Sequence, residues 1–196
     1  MIYGREDISR LIQERAELTL AEAMAAIGPA QFGDATLDPE DYYIVGERLG
    51  WGGRNIAAGG AGIRTAVGIK NQTVDPKPGA LIVTSYQVGM NPAAQAGRIV
   101  QNPVLVGSGV GSIRDSRWSS NAITPVALLV FDNTTTLAVI AGNLVSTGLC
   151  ATSSSPNWIA EATYLGPAQS FAFVHEVDNA AVSATFWWRE FDLKRR

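Results

Sequence analysis

The sequence predicts a mainly β protein, a jelly-roll-like β-sandwich that is preceded by an N-terminal α-helical arm. From residue 42 onward, short apolar or alternating segments are separated by Gly, Pro and Asn turn signals. Strands do not alternate with helical patterns there, which argues against a parallel α/β fold. A helical period is confined to the first residues. We therefore predict an amphipathic helix or arm over residues 1–27, an extended linker over 28–41 and a β-sandwich domain over 42–196.

The predicted helix carries an apolar stripe that has to be buried. Asp7 or Ser9 can cap its start, and Gly28-Pro29 ends it. The stripe can pack on the chain's own domain, or residues 8–24 can dock on a neighbouring subunit or a capsid protein. Its apolar residues recur at helical spacings: Ile8, Leu11, Ile12, Leu18 and Ile27.

The rest of the chain divides into predicted strands. Two of them, 98–107 and 125–132, are continuous apolar runs that are typical of strands buried on both faces. The predicted strands cover residues 42–50, 63–70, 80–89, 98–107, 125–132, 133–143 (after a turn), 170–178 and 182–191.

The closing strand, "VSATFWWREF", has two different faces. With a period of two, Val182, Ala184, Phe186 and Trp188 share the face expected in the core. Trp187 falls on the opposite face, where it can cover an edge or contact a partner. We expect this strand to pair with the segment 170–178.

Composition and charge exclude several classes of function. The net charge of −3 argues against binding nucleic acid through phosphate contacts. Cys150 is the single cysteine, so an intrachain disulfide cannot form. The first ten residues are too charged for a signal peptide, and the uncharged stretch 133–160 is too rich in Thr, Ser, Asn and Gly for a membrane span. We expect no nucleic-acid partner and no membrane.

Catalytic and cofactor motifs are weak. The segment "GSGVGS" at 107–112 has its third glycine one position early for a dinucleotide fingerprint, and we interpret it as a flexible turn. His175 is the single histidine, and no nucleophile elbow accompanies it. One histidine and one cysteine are too few for an ordinary transition-metal site. We predict no cofactor, no metal and no enzymatic activity; carboxylates for glycan cleavage remain a weaker alternative.

Tryptophan and arginine cluster in polar loops, which is typical of protein contacts. Trp51 and Arg54 lie in a glycine-rich stretch, and "IRDSRWSS" combines two arginines with one tryptophan. The alternative is a solvated loop with a local ion pair. The candidate partner interface comprises Ile8, Leu11, Ile12, Leu18, Trp51, Arg54, Arg114, Arg117, Trp118 and Trp187.

Three segments resemble small β-rich virion proteins of tailed bacteriophages: "VGIKNQTVDPKPGALIVTSYQVG", "RDSRW" and the terminal "TFWWREF". The likeness covers residues 63–191, and "TVDPKP" is longer than the turn expected there. It implies a jelly-roll-like capsid cement or decoration protein, or alternatively a neck, tail or fibre component that binds a virion partner or the host surface. It also implies location in the virion after assembly in the host cytoplasm. The implied partners are the major capsid protein or other virion proteins, together with further copies of this chain, with a trimer favoured.

Overall fold

A computed structural model describes residues 19–27, 31–32, 41–73, 79–91, 95–109, 112–115, 126–136, 143–150, 157–159 and 163–195. These residues form one helix, α1 (Leu20–Ile27), and a set of mostly antiparallel strands. The strands are β1 (Gln31–Phe32), β2 (Tyr42–Ile56), β3 (Ala66–Asn71), β4 (Gly79–Asn91), β5 (Gln95–Gln101), β6 (Gly107–Gly109), β7 (Ser112–Asp115), β8 (Ala127–Asp132), β9 (Asn143–Cys150), β10 (Asn157–Ile159), β11 (Thr163–Leu165), β12 (Ser170–His175) and β13 (Ala181–Arg195).

The described strands form two sheets. Sheet A has the order β1-β11-β4-β13-β2-β7, with β10 also paired to β4, and sheet B has the order β6-β8-β3-β12-β5-β9. One apolar core contains buried residues from both sheets, so the inner faces of the sheets pack on each other. Tyr86, Phe171 and Phe186 join them, with ring centroids 5.6 to 6.2 Å apart. The predicted mainly β fold is confirmed, and two such sheets are compatible with a β-sandwich.

The long-range strand pairing is nested. The strand β2 pairs with β13, β3 with β12, β4 with β11 and β5 with β9, and all four pairs are antiparallel. The strands β6, β7 and β8 lie between β5 and β9 in the chain and extend the sheets beside β2 and β3. Each nested pair brings together segments that are distant in sequence.

The closing strand β13 lies inside sheet A between β2 and β4. Its predicted core face is confirmed, because Val182, Ala184, Phe186 and Trp188 are all buried. The predicted pairing with residues 170–178 is wrong. That segment forms β12 of sheet B, which pairs with β3 and β5. The residues between β12 and β13 therefore carry the chain from one sheet to the other.

The predicted strand over 98–107 is also wrong in its second half. The strand β5 ends at Gln101, and Asn102 takes a left-handed backbone conformation with φ of 51°. Beyond this turn, Val104 and Val106 are 66% and 72% exposed, so the second half of the run is not buried on both faces. The predicted strand at 125–132 corresponds to β8, in which four of six residues are buried and the other two are partly buried.

The helix α1 begins at Leu20 and packs on its own domain. Thr19 caps it: the Glu22 backbone N–H donates to Thr19 Oγ1 at 3.2 Å, and the Thr19 N–H donates to Glu22 Oε2 at 3.0 Å. This reciprocal capping box, together with a β-bridge from Thr19 to Tyr43, interrupts the predicted helix at residue 19. Leu20 and Ala23 are fully buried, and α1 contacts β2. These two residues therefore pack within their own chain. Residues 1–18 of the predicted arm lie outside the described residues, and docking of the arm on a neighbouring subunit stays a prediction. No helix in the described part of the chain is long and apolar enough to cross a membrane.

The outer face of sheet A is apolar over one half. Strand alternation and register place Ile82, Phe191 and Leu193 there, and all three are buried. Tyr164 of β11 joins them, and burial together with the neighbouring Tyr42 raises the pKa of its hydroxyl to about 12. This covered half ends at the ion pair between Arg189 and Glu47.

Candidate functional site

An open aromatic cleft of about 590 Å³ lies on sheet A. Trp51 of β2 and Trp187 of β13 are direct cross-strand partners at this place. Directly opposed residues project from the same face of a sheet, so the two indoles share one surface. Trp51 is 45% exposed, whereas Trp187 is half-buried. The cleft is lined by Leu49, Gly50, Trp51, Thr84, Trp187, Trp188 and Arg189.

A β-bulge shapes the floor of the cleft. Trp187 pairs with Ser85 of β4 and Trp188 pairs with Val83, which leaves Thr84 as the extra residue. The Thr84 hydroxyl donates to the backbone oxygen of Trp187 at 3.1 Å and so holds the bulge against β13. The bulge bends β4 away from the regular ladder at the point where the cleft opens.

Glycine at position 50 makes room for the buried tryptophan beneath the cleft. A Cβ at Gly50 would overlap the indole of Trp188, its cross-strand partner. The Trp188 indole N–H donates to Glu190 Oε1 at 2.9 Å, so the side chain points into the core. Trp188 and Trp187 therefore have different environments, as the sequence predicts.

A charged pair closes one end of the cleft. Arg189 Nη1 lies 3.7 Å from Glu47 Oε1, and both residues are 9% exposed. This pair separates the open aromatic half of the outer face from the half that is already buried. The site therefore has apolar walls, one exposed indole and a charged boundary, an arrangement suited to burying part of another polypeptide.

Of the remaining predicted interface residues, the structure brings the backbone of Arg114 to this site. The strand β7 pairs with β2, with Arg114 opposite Leu49 and Ser112 opposite Trp51. The other candidates lie outside the described residues: Ile8, Leu11, Ile12, Leu18, Arg117 and Trp118.

Arg54, the other predicted interface residue of this stretch, does not lie beside Trp51 in the cleft. Residues three apart on a strand project to opposite faces. The Arg54 guanidinium instead lies over the Phe131 ring of sheet B, 5.3 Å from its centroid. Arg54 also approaches Gly109 of β6, where a Cβ would overlap the guanidinium. It therefore bridges the two sheets rather than lining the cleft.

A buried ionic network that the sequence did not predict lies under this end of sheet A. Arg48 binds Asp192 in a bidentate manner at 2.6 and 2.7 Å, and its Nε donates to Glu190 Oε2 at 3.2 Å. Glu190 is fully buried and also accepts the backbone N–H groups of Val126 and Ala127, both at 3.0 Å. The network thus ties sheet A to the start of β8.

The charges of the network reinforce each other. Burial lowers the pKa of the Arg48 guanidinium, but the hydrogen bonds and charges of Asp192 and Glu190 outweigh burial and hold the pKa above its usual range. The sequence does contain a signal for this network: "GERLG" in β2 and "WREFD" in β13 each place charged residues inside an otherwise apolar strand. Both carboxylates already bind the same arginine, and Glu190 alone also binds the start of β8 in sheet B.

The glycine-rich motif and the candidate metal ligands lie apart from the cleft in the described part of the chain. Gly107–Gly109 and Ser112 belong to edge strands rather than to a flexible turn, so the interpretation of "GSGVGS" is corrected. Among the described residues, no group of three His, Cys, Asp or Glu side chains could hold a metal ion.

His175 is buried in the structure. It is fully buried in β12, and its Nδ1 accepts the Val177 N–H at 2.9 Å. Burial and the positive charge of Arg64 lower the pKa of its imidazole.

We expect the stability of the protein to fall as the pH decreases below about 6.5, the ordinary pKa of histidine. Since the folded-state pKa is lowered, the unfolded chain binds the proton first, and stability is lost from the unfolded-state pKa downward to the folded-state pKa. The loss should be at most about 1.4 kcal/mol per pH unit. His175→Asn keeps an acceptor for Val177 and should flatten this dependence in denaturant titrations between pH ~7 and ~5. An unchanged slope in the variant would assign the effect to other groups.

Comparisons of the chain with protein-family models, curated proteins and solved structures find no match.

Proposed function

We propose that this chain is a non-enzymatic structural protein of a phage virion, a cement or decoration subunit that stabilises the head through protein contacts. The nested pairing of β2 with β13, β3 with β12, β4 with β11 and β5 with β9 supports a jelly roll, since this fold is a long antiparallel hairpin rolled into two sheets. Jelly rolls are a common architecture of viral coat domains. The proposed partners are the major capsid protein or another virion protein, and further copies of this chain, with a trimer favoured.

The exposed indole of Trp51 in the cleft carries this proposal. An exposed tryptophan beside a second indole leaves apolar surface in contact with water unless a partner protein buries it. Trp is also enriched at the centres of protein interfaces. The buried pair Arg189–Glu47 marks where this open surface ends against the covered half of the sheet face. The low content of charged residues, 17%, agrees with a surface that is partly covered by other protein.

Trp51→Ala should weaken attachment to particles with little loss of folding stability. Removing a central interface tryptophan costs about 2 kcal/mol or more, which corresponds to roughly 30-fold weaker binding. The measurement is co-sedimentation of the purified protein with particles of the encoding phage that lack it. Val106→Ser is a matched control, because Val106 is 72% exposed but lies beside sheet B. Equal binding by the wild type and both variants would contradict attachment through the cleft.

A neck, tail or fibre component is the second candidate. Lectin domains also use the jelly-roll architecture, and an exposed indole can stack on a sugar of the host surface. Quantitative mass spectrometry of purified particles separates the two, since a head decoration protein is present in hundreds of copies and a tail part in a handful. Soluble host glycan that competes for Trp51 would support the fibre alternative.

A further inference from the structure

Two buried side-chain nitrogens at one end of the paired sheets have no hydrogen-bond acceptor among the described residues. They are Arg64 Nε and His175 Nε2. Backbone hydrogen bonds hold the two residues at the same end of the fold. The His175 N–H of β12 donates to the oxygen of Thr65 at 2.9 Å, and the Arg64 N–H donates to the oxygen of Thr135, just after β8, at 3.2 Å.

The Nε2 atom of His175 is a hydrogen-bond donor. Its Nδ1 accepts the Val177 N–H at 2.9 Å, so the single proton of the neutral imidazole is on Nε2. Burial and the positive charge of Arg64 lower the pKa of the imidazole, which favours this neutral form. The Nε of Arg64 always carries a proton. Both atoms are therefore buried N–H donors, and a buried donor without an acceptor is costly.

The acceptors in the same segments already bind other groups. Asp178 Oδ2 accepts the Gly62 N–H at 2.6 Å, and its Oδ1 lies 3.3 Å from Arg64 Nη1. Three backbone oxygens are also occupied: Thr65 O by the His175 N–H, Ile63 O by the Asn179 N–H and Ala180 O by the Thr65 hydroxyl. Surroundings that offer donors favour an anion, because a water molecule has two hydrogens of its own to place and a metal cation needs lone pairs.

We propose that Arg64 Nε and His175 Nε2 bind a small monovalent anion, such as a halide ion, inside this end of the fold. The guanidinium supplies the attracting charge, and the two N–H groups supply directed hydrogen bonds. The Asp178 side chain is 44% exposed, so solvent screens its repulsion of the anion. The ion links the segment between β2 and β3 to the end of β12. The site shares no residue with the aromatic cleft and does not depend on the proposed attachment.

A bound anion raises the pKa of His175, because a negative charge nearby favours the imidazolium. The neighbouring carboxylates already have partners and do not replace the anion as the acceptor. These pairs are Glu176 with Arg98 of β5, Asp178 with Arg64, and Asp132 of β8 with the hydroxyls of Thr134 and Thr135.

A bromide titration of the full-length protein, followed by NMR, tests the site. His175 is the single histidine, so the imidazole signals belong to it alone. Sodium gluconate at the same ionic strength is the reference, because it screens surface charges equally but is too large for a buried site. We expect the imidazole signals to shift in a saturable manner with bromide only. The pKa of His175 should be higher by about 1 in saturating bromide than in gluconate.

Variants of two arginines locate the response. Arg64→Gln removes the charge and the Nε–H donor, and it should abolish the response to bromide. Arg98→Gln is the matched control, because it removes the same charge from an arginine that pairs with Glu176 instead. Arg64→Lys keeps the charge without the planar guanidinium and should bind bromide more weakly than the wild type. Thermal unfolding without bromide first establishes that each variant folds, and the comparison of bromide with gluconate in the wild type stands without any variant.

Equal responses of the wild type to bromide and gluconate overturn the proposal and leave a buried water as the acceptor. A response that grows with bromide concentration without saturation also overturns it, since this indicates weak association with the surface. An unchanged response in Arg64→Gln assigns the ion to another place and overturns the site as well.

Discussion

Glu190→Ala should destabilise the protein by about 3–5 kcal/mol, the range found when one partner of a buried ion pair is removed. Glu190 is fully buried and accepts four hydrogen bonds, from Arg48, Trp188 and the backbone N–H groups of Val126 and Ala127. Alanine leaves all four donors without this acceptor and leaves the guanidinium with Asp192 alone. The measurement is the free energy of unfolding from denaturant titration at neutral pH.

Two further variants separate charge from geometry. Glu190→Gln keeps the size and one acceptor oxygen, so it should lose less stability than Glu190→Ala. Asp192→Asn changes the other carboxylate that binds Arg48, but the Asp192 side chain is 45% exposed, and the loss should be smaller again because solvent screens the pair. If all three variants unfold at the same denaturant concentration as the wild type, Glu190 does not join the sheets in the way described.

Trp188→Ala should cost about 3–5 kcal/mol of unfolding free energy, as for other large truncations in a core. The Trp188 indole is 1% exposed, lies against Gly50 and donates to Glu190. Its removal leaves a void between the sheets and takes one donor from the buried carboxylate. Thermal and denaturant unfolding measure the loss.

The neighbouring tryptophan is the internal control. Trp187 is half-buried at the edge of the cleft, so Trp187→Ala should lose clearly less stability than Trp188→Ala. Trp188→Phe retains most of the apolar volume but lacks the N–H donor. Its free energy of unfolding should therefore lie between those of the wild type and Trp188→Ala. Equal losses from Trp187→Ala and Trp188→Ala would contradict the two faces of β13.

Local pattern predicts the faces of strands well, because alternation depends on backbone geometry alone. It placed Trp188 in the core and Trp187 near the surface from the run of three apolar aromatics and its neighbours. It also identified Trp51 as a candidate for partner contact. The same period separates Trp51 and Arg54, two of the predicted interface residues, onto opposite faces of β2.

The start of helix α1 is marked by a local sequence signal that is stronger than apolar spacing. Apolar spacing suggested one helix that crosses residue 19, but the segment "TLAE" at 19–22 is a capping box that begins a helix at Leu20. Whether that helix packs on its own domain depends on an apolar surface made by β2 and β13, which no local pattern describes.

By itself, the sequence determined the mainly β class, the positions of β2, β3, β4, β8, β12 and β13, and the buried face of β13. Only the tertiary structure decided that β12 and β13 belong to different sheets, that Thr84 forms a bulge beneath the cleft, and that Arg48 and Glu190, 142 residues apart, meet in the core. The physical reason is that alternation specifies which side of a strand is apolar but not which strand it meets. That choice depends on how two complete apolar faces pack, and on where their few buried charges and donors satisfy one another.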